Sequence, residues 1–239
     1  MNITDRANPG ASLGNRLWYH LCCTLCRTFL TLVYGVRIWG GRNVPDSGPL
    51  LVISNHQSHY DPVLVGAALT NRHLNFMARS GLFNVPGFEK LIRSLNAHPI
   101  RQGEPDTAAI RLLIEQLKLG RAVLVFPEGS RTPDGAMHPF KRGVWLLLNR
   151  SKATILPVAI DGVYDAFPRK AAFPKLVGQR VGVNIGEPIP AATLLAMGED
   201  KGLRLLERTI ETLRVDLADR LTSGGATLTS EPFSAVVVD

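Results

Sequence analysis

The strongest constraint on what this chain can fold into is a set of short apolar runs, each followed by polar and turn-forming residues. Leu50-Leu51-Val52-Ile53, Ala122-Val123-Leu124-Val125-Phe126 and residues 154–160 read as buried strands. Weaker strand patterns lie at 74–78, 97–100 and 181–185. Helical patterns alternate with them at 62–69, 89–94 and 143–150. The clearest helix is expected over 106–119, with Asp106 as N-cap, Ile110, Leu113, Ile114 and Leu117 on one face, and Gly120 as the stop. A long charged amphipathic helix is expected over 198–221. Strands alternating with helices imply an α/β fold: one domain with a central mixed, largely parallel sheet flanked by helices. The length of 239 residues and 45% hydrophobic content suit one such core with trimmings. The domain is expected over 41–222. The small and polar residues of 223–239 read as a frayed tail.

The most apolar segment precedes the domain. Residues 17–39, "LWYHLCCTLCRTFLTLVYGVRIW", approach the length of a membrane span. Arg27 near the middle would cost roughly 2.5–3.5 kcal/mol at the bilayer centre. Trp18, Tyr19, Tyr34 and Trp39 mark both ends. Aromatic ends around an interrupted apolar middle suit a helix, or a pair of helices, lying in the headgroup interface. Residues 1–40 are therefore expected to attach to a membrane surface without crossing it. The plainer alternative is a helix that covers the sheet. As a secretory signal the segment offers only a weak cleavage site.

The chain carries 27 Lys and Arg against 20 Asp and Glu, a net charge of +7. That excess suits an anionic partner: nucleic acid, an anionic membrane surface or a phosphorylated substrate. No nucleic-acid-binding module accompanies it, so nucleic acid ranks last. The three cysteines, Cys22, Cys23 and Cys26, crowd one apolar segment. That is a poor disulfide framework, and Cys23-x-x-Cys26 has no second Cys or His pair to complete a zinc site. They read as small hydrophobes in a reducing compartment.

In an α/β sheet, ligands bind beyond the carboxyl ends of the strands. The chemically rich segments fall there. After the first strand comes "SNHQSHYDP", where Pro62 disfavours helix at Asp61 and suits the first helical turn. Asp61 thus reads as an N-cap, and the bent connection before it can fold His56 back towards Asp61. An imidazole of ordinary pKa near 6.5 can accept a proton, and a carboxylate on its other nitrogen fixes the tautomer. Ser54 and Ser58 are nearby but sit in no nucleophile elbow, so the pair is suited to activating a hydroxyl brought by a substrate. A cap with surface histidines, or a metal site from His56, His59 and Asp61, are the rival readings of this segment alone. After the 122–126 strand comes "PEGSRTPDG". Gly129 permits unusual backbone angles, and Arg131, with Ser130, can hydrogen-bond a phosphate. Arg101, Lys141 and Arg142 add positive charge.

These segments together resemble the glycerophospholipid acyltransferases, and among them the 1-acylglycerol-3-phosphate (lysophosphatidic acid) acyltransferases. "NHQSHYD" at 55–61 is similar to the family's His-x4-Asp motif, and "FPEGSRT" at 126–132 to its third motif. "GLFNVPGFEKLIRSLNAHPIR" at 81–101 resembles the second, "ILPVAIDG" at 155–162 the fourth, and "FKRG" at 140–143 the family's Phe-Lys-x-Gly. Four motifs in order over residues 35–190 are far more specific than one His-x4-Asp. The second motif departs from the family pattern at Arg79-Ser80-Gly81, and Ser130 replaces the commoner Thr.

The resemblance implies direct acyl transfer without an acyl-enzyme. His56 would deprotonate the acceptor hydroxyl and Asp61 would orient His56. Glu128, Gly129, Ser130 and Arg131, with Arg101, would surround the glycerol phosphate, and Pro157 would form part of the pocket wall. The donor would be acyl-CoA or an acyl-carrier protein, and the acceptor a lysophospholipid drawn from the cytoplasmic face of the cell membrane. No cofactor and no metal are implied. Glycerol 3-phosphate or another lysolipid as acceptor, a hydrolase, and a non-catalytic lipid-binding relative are the competing readings.

Overall fold

The strand Leu50–Ser54 (β2) is buried along its whole length. A strand with no exposed face needs a cover on each side, and its alternating side chains enter two cores. Leu50 and Val52 join Leu74, Leu124, Leu156 and Val158 in one. Leu51 and Ile53 join Val123, Ile155 and Ala159 in the other. The computed structural model describes residues 7–100, 107–171, 173–176 and 178–223. Among these, seven strands form one sheet. From edge to edge it runs Arg37–Trp39 (β1), Gly182–Ile185 (β7), Thr154–Asp161 (β6), β2, Ala122–Val125 (β5), Leu74–Arg79 (β3) and Ala97–Ile100 (β4). β2 lies parallel to both neighbours, with Ile53 beside Val125 and Pro157. The β3–β4, β3–β5 and β1–β7 pairs are also parallel, and β6–β7 is antiparallel. The expected mixed, largely parallel sheet is what forms.

One face is covered by Leu13–Tyr34 (α1) and Asp61–Ala68 (α2), which contribute Leu30, Tyr34, Leu64 and Val65 to the core. The short helix Phe88–Ser94 (α3) packs Ile92 beside Ala97 of the edge strand β4, and Val163–Ala166 (α6) adds Val163 and Ala166 to the core that α1 and α2 cover. The other face is covered by Thr107–Lys118 (α4), Gly143–Ser151 (α5), Ala191–Met197 (α7) and Glu199–Thr222 (α8). Leu113, Leu117, Leu147, Leu194, Leu206 and Ile210 enter the core from them. Burying each such leucine contributes about 1.5–3 kcal/mol. The expected face of α4 packs inward, and Gly120 ends it at φ +76°. The Asp106 cap lies outside the described residues, as does the tail beyond Ser223.

The amino-terminal segment differs from its sequence reading in one respect. It is a single helix that ends at Tyr34, where Gly35 takes a left-handed conformation and its N–H bonds Thr31 O. The chain then enters β1 rather than continuing as helix. Val36 and Ile38 turn towards the core while Arg37 faces solvent, a two-residue alternation that the apolar stretch before it obscures. Tyr19 fixes the helix to the domain: its hydroxyl accepts from Leu74 N (3.0 Å) and its ring stacks on His73. Trp18 Nε1 donates to Ser94 Oγ of α3 at 2.8 Å. Among the described residues, no helix is long and apolar enough to cross a membrane.

Candidate active site

The connection from β2 to α2 is shaped by three side chains. Asn55, buried, donates to Ile160 O and accepts from Ile160 N, both at 2.9 Å. It thus imitates one more rung of the β2–β6 ladder as the chain leaves the sheet. His56 Nδ1 lies 2.7 Å from Asp61 Oδ2. The same oxygen accepts from the backbone N–H groups of Gln57 (2.6 Å) and Ser58 (2.7 Å). Asp61 is therefore not the N-cap expected from its place before Pro62. It is the first residue of α2, and its carboxylate turns back into the loop that precedes it. Full burial pushes the Asp61 carboxyl above the ordinary range, against the pull of His56 and the two amides. His56 keeps partial exposure, with its ring stacked on Phe126 at 4.1 Å. Nδ1 is engaged by Asp61, so Nε2 is the nitrogen left to meet a substrate.

The loop after β5 grips the same histidine by its backbone. Glu128 Oε1 accepts from His56 N (2.7 Å) and Oε2 from His138 N (3.0 Å). Thr132 N donates to His56 O at 2.8 Å. Both polar groups of the His56 backbone are thus bonded to a loop far away in sequence. Glu128 is buried, and burial raises its carboxyl pKa against the two amide bonds that lower it. Its carboxylate is committed to positioning the loops.

Arg131 is 8% exposed, and its Nη1 is buried with no hydrogen-bond partner. Buried polar groups are rarely left so, and an unpaired guanidinium N–H invites an anion. Burial lowers its pKa, followed by the nearby Arg79 and Arg169; Asp61 acts in the opposite sense. His59 is pushed down by burial and by Arg131, Arg79 and His56. Arg79, Arg131 and Arg169 thus gather positive charge beside the His56–Asp61 pair. Gly129 has φ +73° and lies beneath the Lys141 side chain, whose Nζ a Cβ would approach to 2.6 Å. Ser130 is exposed at the rim. Arg101 lies outside the described residues. Pro157 is not brought among the polar groups. It is buried in β6 beside Ile53, with its carbonyl accepting from Gly186 N at 2.9 Å.

Several supporting contacts were not expected from the sequence, where Ser58 was weighed only as a nucleophile. Gln57 Nε2 donates to Asp161 Oδ1 (3.3 Å), which also faces Arg214 of α8. Ser58 Oγ donates to Phe167 O (2.8 Å), and Phe167 packs against His59 and Tyr60. Gln57, Ser58 and Asp161 sat in quoted motifs without these contacts being assigned to them, and Phe167 and Arg214 lay outside the motifs. Among the described residues, no group of three or more His, Cys, Asp or Glu is placed to hold a metal. The geometry suits general-base chemistry beside an anion site: a histidine oriented by a buried carboxylate, next to an unpaired buried arginine.

Comparison with known proteins shows which family the chain resembles. The sequence model of the Acyltransferase family matches residues 35–161. A 1-acyl-sn-glycerol-3-phosphate acyltransferase of Bacillus subtilis (strain 168) is 24% identical over 203 residues, spanning 85% of this chain and 98% of that protein. The alpha enzyme of the same name from Ovis aries is 30% identical over 172 residues, 68% of this chain and 57% of that one. The crystal structure of the 1-acyl-sn-glycerophosphate (LPA) acyltransferase PlsC from Thermotoga maritima aligns with a TM-score of 0.71 and 26% identity. That alignment covers 85% of this chain and 81% of that one. The family match takes in more than half of the chain, including both loops that meet at His56, and the chain therefore belongs to the Acyltransferase family and is an enzyme.

Proposed function

We propose that this enzyme moves a fatty acyl group from an acyl thioester, acyl-CoA or an acyl-carrier protein, to the free hydroxyl of lysophosphatidic acid, giving phosphatidic acid. The observation that carries the reading is the His56–Asp61 pair at 2.7 Å beside the unpaired, buried Nη1 of Arg131. His56 Nε2 takes the hydroxyl proton as the oxygen attacks the thioester carbonyl. The tetrahedral intermediate collapses by breaking the C–S bond, and the imidazolium returns the proton to the thiolate. Asp61 stabilises the imidazolium through Nδ1. Arg131, with Arg79 and Arg169 behind it, holds the acceptor phosphate, and Gly129 and Ser130 form the rim. The acceptor named in the similar proteins, lysophosphatidic acid, has both groups this site needs, a hydroxyl and a phosphate.

The acceptor is a lipid, and α1 suits a membrane surface. Leu13, Leu17, Leu21, Leu25, Phe29 and Leu32 all point outward, Leu32 with 81% of its surface exposed. The exposed Val85, Phe88 and Leu91 follow on the α3 side, next to the Trp18–Ser94 contact. Apolar surface of this extent on one side marks a docking face. In this reading the protein lies peripherally on the cytoplasmic face of the cell membrane. The test offers labelled acyl-CoA and acyl-carrier protein with lysophosphatidic acid, glycerol 3-phosphate or no acceptor, following thiol release and lipid product. Phosphatidic acid formation is expected. Thiol release without an acylated lipid would make the protein a hydrolase, and turnover on glycerol 3-phosphate alone would move the acceptor.

A further inference from the structure

A crevice of about 480 Å³ runs between α1 and the carboxyl end of α2. Its polar lining is His20, Thr24, Arg27, Thr28, Thr31 and Thr70. We propose that it is a second lipid site, which takes the anionic headgroup of a membrane phospholipid. The proposal rests on the membrane-docking reading of α1.

Three observations support it. First, successive helical side chains advance by about 100°, so Thr24, Arg27, Thr28 and Thr31 share one flank of α1. That flank lies between the buried face, with Tyr19 and Leu30, and the outward stripe of Leu21, Leu25 and Leu32. A helix resting on a bilayer by its leucines places this flank at headgroup depth. Second, Arg27 has no carboxylate among the residues that line the crevice. A cation in the middle of an apolar helix, which sequence alone shows only as an obstacle to membrane crossing, becomes the centre of an anion site. The threonine hydroxyls beside it can donate to phosphate oxygens. Third, the crevice is separate from the chemistry. Asp61 begins α2, whereas Ala67 and Thr70 lie at and beyond its far end, roughly 10 Å away at 1.5 Å per residue. A lipid held there leaves the acceptor site free, and so fixes the enzyme's orientation while substrates exchange.

The test is vesicle co-sedimentation of the full chain, comparing phosphatidylcholine vesicles with vesicles that also contain phosphatidylglycerol. Four proteins are compared: wild type, Arg27→Ala, Thr70→Trp and Leu17→Glu/Leu25→Glu. All four positions are exposed, so the fold tolerates the changes. The wild type should prefer the anionic vesicles. Arg27→Ala should lower that preference about fivefold, the weight of one basic side chain at an anionic surface. Thr70→Trp changes no charge but fills the crevice, and should lower the preference similarly without weakening binding to pure phosphatidylcholine. Loss from Arg27→Ala alone would mean diffuse surface charge and overturn the site, as would no loss from either. The double glutamate variant tests the underlying reading separately: unaltered binding to phosphatidylcholine would refute docking through α1.

Discussion

Replacing Glu128 with Gln separates two roles for this residue: contact with the acceptor, and support of the catalytic loop. In the structure both carboxylate oxygens are engaged by backbone amides, His56 N at 2.7 Å and His138 N at 3.0 Å. A glutamine offers one oxygen where two are needed, and turns its NH2 donor towards the other amide. One charge-assisted hydrogen bond is lost and a buried N–H faces a donor. Hydrogen bonds to charged groups contribute about 1.5–3 kcal/mol, and an unsatisfied buried group costs about 1–3 kcal/mol. The two overlap, so a loss of about 2–4 kcal/mol is expected, which a domain stable by about 5–15 kcal/mol survives. His56 would lose its anchor, and a displacement near 1 Å costs on the order of 100-fold in rate. Denaturant unfolding with steady-state kinetics on the same preparation reads both effects. The expected result is lower stability and a lower kcat with the acceptor KM unchanged. Wild-type stability with a raised acceptor KM would refute the positioning role.

Asp61→Asn should keep the loop but lose control of the His56 tautomer; by analogy with serine-protease triads, kcat should fall by up to about 10⁴. A loss under tenfold in a folded variant would contradict that role. Gly162→Ala, at φ +79° with its new Cβ driven into Arg180 O, should destabilise by several kcal/mol, about 3 or more, and a melting temperature unchanged from wild type would count against it. Buried His73 has its pKa lowered to about 3 by burial, with His20 and Arg16 adding to the shift. A depressed folded pKa means that the unfolded chain binds the proton first, so stability is full above about pH 6.5 and declines as pH falls towards 3. The loss by pH 5 is on the order of 2 kcal/mol. His73→Asn should flatten this acid limb, and an unaltered slope of stability against pH would refute it.

The parts legible in the sequence are those with strong local pattern. The β2, β5 and β6 runs are apolar because both faces are covered, and the α4 face shows in its spacing. His56 and Asp61 were legible as a pair through the His-x4-Asp resemblance, whereas the cap role read for Asp61 from Pro62 is not what forms. What stayed hidden depends on contacts distant in sequence. The role of Glu128 is set by amides 72 and 10 residues away. Asn55 looks like any loop residue until Ile160 is placed beside it, 105 residues on. β1 was missed because Val36, Ile38 and Trp39 prolong the apolar stretch past Gly35, whose role as the helix stop was not drawn from the sequence, and its pairing with β7 defines it. Asp61 satisfied the composition of a cap, but its carboxylate found better donors in the loop behind it.

The most direct test of the account is the initial rate of phosphatidic acid formation by wild type and His56→Ala, at saturating acyl thioester and lysophosphatidic acid. His56 is partly exposed, so its truncation should leave the melting temperature close to that of wild type. The account predicts a variant that is folded and binds membranes but forms no measurable phosphatidic acid. A folded His56→Ala enzyme with near-wild-type turnover would contradict it.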